Sequence, residues 1–157
     1  MSYVRRTLGS KERILLLTGY HWLYWVGASL LVAPFIAVLV GGLPYGAGDY
    51  FLLVLTAVPL IYGIYLIVHG LALEVAVTSD RFVKKTGLIS INTEEVSLDK
   101  IEEVNVETSI LGRIFGYGTV NVHGTGAGDI RAKILNNPIG LRQQIQAARE
   151  ELKSKGE

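Results

Sequence analysis

The side chains of this chain with types suited to chemistry are three histidines, an acidic stretch, a glycine-rich loop and a small basic cluster. His21 and His69 could share a metal or a proton, but no carboxylate or thiolate stands beside them to complete a site, so they read as interfacial or helix-packing residues. His123 lies in a strand-like segment beside Gly124 with neither a nucleophile nor an orienting group recognisable around it. Gly124-Thr-Gly-Ala-Gly128 has the composition of a phosphate loop. Neither a Walker lysine nor GxGxxG spacing follows, however, and the next segment reads as strand, whereas phosphate cradling uses a helix N-terminus. A hairpin loop is expected there.

Glu94, Glu95, Asp99, Glu102, Glu103 and Glu107 stand against Lys100 and could attract a cation or a basic partner. Calcium needs ligands converging from one compact loop, a spacing missing here, so the run reads as a charged sheet face or edge protected from aggregation. Arg81, Lys84 and Lys85 are candidate contacts for lipid headgroups. Near an anionic leaflet each cation contributes roughly 1 kcal/mol, enough to orient a domain without building a headgroup pocket. The absence of cysteine removes disulfide frameworks, thiolate zinc sites and CxxC redox centres. No catalytic set, cofactor or metal site is expected, and the chain does not read as an enzyme.

The elements that must position these residues fall into two kinds. Mean hydropathy is +0.37, and the apolar residues are segregated: between Tyr20 and Leu73 the only acidic or basic side chain, histidines aside, is Asp49. Tyr20 to Val40 and Tyr50 to Leu71 are each long enough, at about 1.5 Å per residue, to cross a hydrocarbon core of roughly 30 Å. Pro34 and Pro59 read as kinks, tolerated where neighbouring helices re-satisfy the freed carbonyls. Gly41, Gly42, Pro44, Gly46 and Gly48 form a short turn without Lys or Arg. Arg5, Arg6, Lys11 and Arg13 precede the first span, so the positive-inside rule places both termini in the cytoplasm and the hairpin in the inner membrane. Tyr20, Trp22, Tyr24 and Trp25 cluster at the inner end of the first span as an expected membrane-interface anchor.

After the second span, short β-like segments follow at 73–78, 81–86, 95–98, 103–107, 119–123 and 130–135, separated by turn residues such as Ser79-Asp80 and Gly87. Val104, Val106, Val120 and Val122 alternate with polar neighbours, the period of strands with one buried face. Asn137 suits an N-cap and Pro138 a first helical position. Leu141, Ile145, Ala148 and Leu152 then form an apolar stripe that must cover something. The expected architecture is a cytoplasmic N-terminal segment (1–19), a two-helix transmembrane hairpin (20–72) and a cytoplasmic antiparallel β-roll with a C-terminal helix (73–157). Residues 74–157 carry 11 Lys and Arg against 12 Asp and Glu, which is no nucleic-acid footprint.

The succession Glu74-Val-Ala-Val-Thr-Ser-Asp-Arg81, Val96-Ser-Leu98, Val104-Asn-Val106, Ser109-Ile-Leu-Gly-Arg113 and Gly116-Tyr-Gly-Thr-Val120 resembles the bacterial pleckstrin-homology-like family. Within it, the likeness is to the membrane-associated branch, a domain of unknown function with flanking transmembrane helices. The resemblance implies a PH-like antiparallel β-roll capped by a C-terminal α-helix, and no established activity. The function expected from these readings is a non-enzymatic, membrane-anchored binding or assembly module at the cytoplasmic face. Its partners are the lipid bilayer and a protein partner or further copies of itself, with no nucleic acid and no small-molecule substrate. The alternatives are an accessory subunit of a larger membrane complex, whose spans pack through Gly27, Ala28, Ser29 and Ala33, and an anionic-lipid sensor.

Overall fold

The apolar run Ile14-Leu-Leu-Leu-Thr18 precedes the first long helix, yet it is a strand, and its partner lies after the second. A computed structural model describes residues 3–10, 12–41, 47–126 and 128–156. A short helix α1 (Tyr3–Thr7) and strand β1 (Ile14–Thr18) come first, and the two long helices α2 (Trp22–Val40) and α3 (Ala47–Ala72) follow. Then come β2 (Glu74–Thr78), β3 (Arg81–Thr86), β4 (Asn92–Ser97), a 3-10 turn (Leu98–Lys100) and β5 (Ile101–Glu107). Helix α4 (Ile110–Phe115), β6 (Tyr117–Gly124), β7 (Gly128–Asn136) and α5 (Pro138–Gly156) complete the chain. Two compact units result. One comprises Met1–His21 with Ala72–Glu157, and the other is Trp22–Leu71.

In the β unit, two antiparallel sheets form, ordered β1-β2-β3-β4 and β5-β6-β7. β1 is therefore a sheet strand where the sequence suggested a separate N-terminal segment, and Thr18 pairs with Val75. Beyond β1, Tyr20 bridges to Leu135, and the His21 N–H donates to the Ile134 carbonyl at 2.9 Å, closing one edge of the first sheet against β7. The core draws Val75, Val77, Phe82 and Val96 from the first sheet and Val104, Val120, Val122 and Leu135 from the second. The expected stripe on α5 closes it: Leu141, Ile145 and Ala148 are buried, and Leu152 packs at its rim. Full burial of such aliphatic side chains stabilises by about 1.5–3 kcal/mol each. On the opposite face of the first sheet Val4 of α1 packs with Ala76 and Val83, which is why β2 is buried on both sides.

Helix α5 starts as its sequence suggests. Asn137 Oδ1 accepts from the Gly140 N–H at 3.1 Å, and Pro138 takes the first helical position, where a missing N–H costs nothing. β4 begins three residues earlier than expected and ends at Ser97, leaving Leu98 to the 3-10 turn. Helix α4 occupies the stretch between the β-like segments expected at 103–107 and 119–123. Ser109 Oγ accepts from the Gly112 N–H at 3.0 Å as N-cap, and Gly116 ends the helix at φ 80°, the left-handed conformation that glycine adopts without steric cost.

In the helical unit, Trp22–Val40 and Tyr50–Ala72 are long and apolar enough to cross a membrane, with mean hydropathy 2.2 and 2.5. Only 6% of each apolar window is buried within the structure, unlike the core helix of a globular protein. The helices run on through Pro34 and Pro59. Their faces meet at Gly63, where an added Cβ would come within 2.8 Å of Val32 Cγ2 and 3.1 Å of the Ala28 carbonyl. They meet again at Gly70, where it would stand 2.6 Å from Tyr24 Cε1. Tyr24 Oη donates to the Leu66 carbonyl at 2.7 Å. The glycine-rich turn expected between the helices lies largely outside the described residues.

Candidate functional site

Thr78 at the end of β2 organises the Ser79-Asp80 turn. Its Oγ1 accepts from the N–H groups of Asp80 and Arg81 and donates to the Arg81 carbonyl at 2.9 Å. The turn then gathers its neighbours: the Ser79 N–H donates to the Arg13 carbonyl and the Leu98 N–H to the Asp80 carbonyl, both at 2.9 Å. These bonds fix the start of β1, the β2–β3 hairpin and the 3-10 turn around the last turns of α5. Between them runs a groove of about 500 Å³, with Asp80, Ser97, Leu98 and Asp99 on one wall and Arg149, Leu152 and Lys153 on the other. A smaller hollow of about 190 Å³ continues it past Asp80 and Leu152 towards Arg13, Ser79 and Glu151. Carboxylates on one wall and cations on the other thus accompany a leucine on each. The chemistry of this lining suits a segment that bears both signs of charge around an apolar side chain.

The basic cluster takes a different form from the one its sequence suggests. Arg81 makes a bidentate pair with Glu12, Nε to Oε1 at 2.9 Å and Nη2 to Oε2 at 3.0 Å. It also reaches Glu95 at 2.6 Å and the Thr7 carbonyl at 2.8 Å. Burial opposes ionisation of Glu12, whose side chain is 4% exposed, but hydrogen bonds from Arg81 and the Gly9 N–H outweigh it and hold the carboxyl below its usual range. The hydrogen bond to Glu12 raises Arg81 in turn, against its own desolvation. Lys84 pairs with Glu94 at 2.7 Å, and Lys85 is buried at 9% exposure. The three cations are therefore built into the sheet. Glu12 is the partner that sequence reasoning missed, because nothing local ties residue 12 to residue 81.

Apart from Asp99 in the 3-10 turn, the acidic run maps onto β4 and β5, one edge strand of each sheet. Several members are paired: Glu94 and Glu95 as above, Glu107 with Arg131 at 2.9 Å, and Glu102 accepting from Thr125 Oγ1 at 3.0 Å. His123 does have a partner, Asp129 Oδ1 at 2.6 Å, opposite it in the β6–β7 register. Asp129 is exposed and His123 half-buried. The His21 ring lies 5.6 Å from that of Tyr117, and His69 lies 6.0 Å from Tyr65. Among the described residues no three His, Asp or Glu side chains converge as a metal site.

The aromatic cluster divides. Tyr20 packs against the β core, Trp22 is exposed at the start of α2, and Tyr24 meets Trp25 edge-on at 5.7 Å, both against Gly70.

The family model described as the bacterial PH domain matches residues 23–149, most of the chain. A crystal structure of a DUF1696 family protein with a pleckstrin-homology domain, from Shewanella loihica, is 15% identical over 49% of this chain and 70% of its own, with a TM-score of 0.39. No curated protein matches.

Proposed function

Because the chain belongs to the bacterial PH domain family, we propose that it is a non-enzymatic binding and assembly module, anchored in the inner membrane and working at its cytoplasmic face on other proteins or further copies of itself. The observation that carries this reading is the groove beside α5, with Asp80 and Asp99 opposed to Arg149 and Lys153 over Leu152. Opposed charges of this kind select a partner and its orientation more than they add affinity.

Topology supports the anchor. β1 and β2 flank the two apolar helices in sequence and pair with each other, which requires both flanks on one side of a bilayer and an even number of crossings. Cations at Arg5, Arg6 and Arg13 then favour the cytoplasmic side.

Site-specific photocrosslinking from Lys153 in native membranes tests the module. The expected result is a discrete adduct, lost when Arg149→Glu and Asp99→Lys reverse the groove. Native mass spectrometry that found only uncrosslinked monomers across conditions would sink the reading.

A second reading, an accessory subunit of a larger membrane complex, rests on α2. Ala28 is taken up in packing within the hairpin, while Gly27, Ser29 and Ala33 stay exposed and allow another helix to approach closely. Stoichiometric co-purification of a second integral protein in mild detergent separates this reading from the first. Direct sensing of anionic lipid by Arg81, Lys84 and Lys85 has less support, because carboxylates already hold Arg81 and Lys84.

A further inference from the structure

Large apolar side chains exposed on the β unit fall mainly in two connections. The β3–β4 connection carries Leu88, Ile89 and Ile91, with Ile89 fully open at 101%. Helix α4 carries Ile110, Leu111 and Ile114, the first and last at 82% and 70%. A water-facing loop gains nothing from such residues, and clustered exposed apolar surface marks an interaction site.

Sheet register brings both to the end of the β unit where the chain departs and returns. β2 opens at Glu74, directly after Ala72 and Leu73, and Glu74 pairs with Lys85. The β3–β4 connection therefore begins two residues past the level at which the chain enters the sheet. Gly87 makes that turn possible: its φ is 82°, and a Cβ would collide with the Ser90 carbonyl oxygen. On the other sheet, Gly116 closes α4 directly before Tyr117, whose ring packs on His21. His21 is the last residue of the β unit before Trp22 and the first apolar helix. At the other end of the first sheet the β2–β3 turn and the 3-10 turn after β4 carry polar residues, Asp80 and Asp99 lining the groove described above and Ser79 the hollow that continues it.

We infer that this end of the β unit is itself a lipid-contacting surface, with Leu88, Ile89 and Ile91 at one point and Ile110, Leu111 and Ile114 at another seated at the headgroup boundary of the bilayer. This rests on the reading of α2 and α3 as membrane spans. The lipid surface is chosen as occupant because it must begin within a residue or two of His21 and Ala72 if those helices cross it. Short apolar elements lie in that layer with their hydrophobic face about 5–10 Å deep, while a basic residue such as Arg113, exposed on α4, extends its charge to the headgroups.

The chain has no native cysteine, so single spin labels report cleanly. Ile89→Cys, Ile114→Cys, Lys153→Cys and Leu55→Cys are made in the full chain, reconstituted in phosphatidylcholine–phosphatidylglycerol vesicles, and probed by collision with oxygen and with a nickel chelate. Labels at 89 and 114 are expected to lose chelate collisions and keep oxygen, as at Leu55, while Lys153 keeps the chelate. Chelate collisions at 89 and 114 equal to those at Lys153, with Leu55 still in lipid, would overturn the inference alone. So would protection of both sites from both reagents, which is the mark of a protein cover. Chelate access at Leu55 would overturn the membrane reading itself.

Discussion

Arg81 joins the Thr7 carbonyl, Glu12, β3 and Glu95 of β4 through one guanidinium. The sign of its pH dependence follows from Glu12, whose folded carboxyl titrates below its ordinary 4.5. An unfolded chain binds that proton first as pH falls, so the stabilisation is complete above about pH 4.5 and is lost as pH drops through the lower folded value. Acid is therefore expected to release residues 3–18 from the sheet, read as loss of amide-exchange protection at Leu16 and Val75 before that of the β6–β7 amides. Glu12→Gln is expected to cost about 1.5–3 kcal/mol, the range for hydrogen bonds to a charged group, and to flatten this acid limb in urea unfolding. An unchanged acid limb in that variant would assign it to other carboxylates.

Helix α5 stabilises the fold through one face. Ile145 is fully buried, so Ile145→Ala is expected to cost about 2–5 kcal/mol, against no more than about 0.5 kcal/mol for exposed Gln146→Ala. Thermal unfolding of the two variants side by side checks this. In the helical pair the sensitive positions are glycines. Gly63→Leu places a side chain where a Cβ already meets Val32 at 2.8 Å, so the helices must part. A flexible bismaleimide between cysteines at 24 and 66, on the two helices that the Tyr24–Leu66 bond brings together, is expected to crosslink readily in the parent and poorly with Gly63→Leu. An equal yield would show that the hairpin closes without that contact.

At the scale of the whole molecule, the apolar hairpin is an insertion between two paired strands. Thr18 and Val75 are partners, and Cα atoms so paired lie only about 5 Å apart. Replacing residues 22–71 by a short glycine–serine linker is therefore expected to give a water-soluble monomer with a dispersed NMR spectrum. A chain starting at residue 72 lacks β1, leaves the β2 edge open and is expected to aggregate. Equal solubility of the two would mean that β1 is dispensable to the fold.

Local pattern in the sequence was sufficient for several elements. Alternation in 103–107 and 119–123 marked β5 and β6, Asn137-Pro138 marked the start of α5, and unbroken hydropathy marked the helical pair, because each depends only on neighbours in the chain. β1 was not legible. Ile14-Leu-Leu-Leu falls within the N-terminal segment expected at 1–19, and what makes it a strand is Val75–Thr78, some sixty residues away. Helix α4 was hidden by its glycines until Ser109 and Gly116 were seen as its caps. The groove escaped notice for the same reason as the Arg81–Glu12 pair, since both join residues distant in sequence. Composition and periodicity by themselves determined a two-helix apolar hairpin and a capped β-roll. Only the tertiary structure decided that β1 joins the roll by pairing with β2 and that three apparent surface cations become sheet-bound ones, because strand pairing and ion pairing between distant residues are set by proximity that the chain acquires on folding.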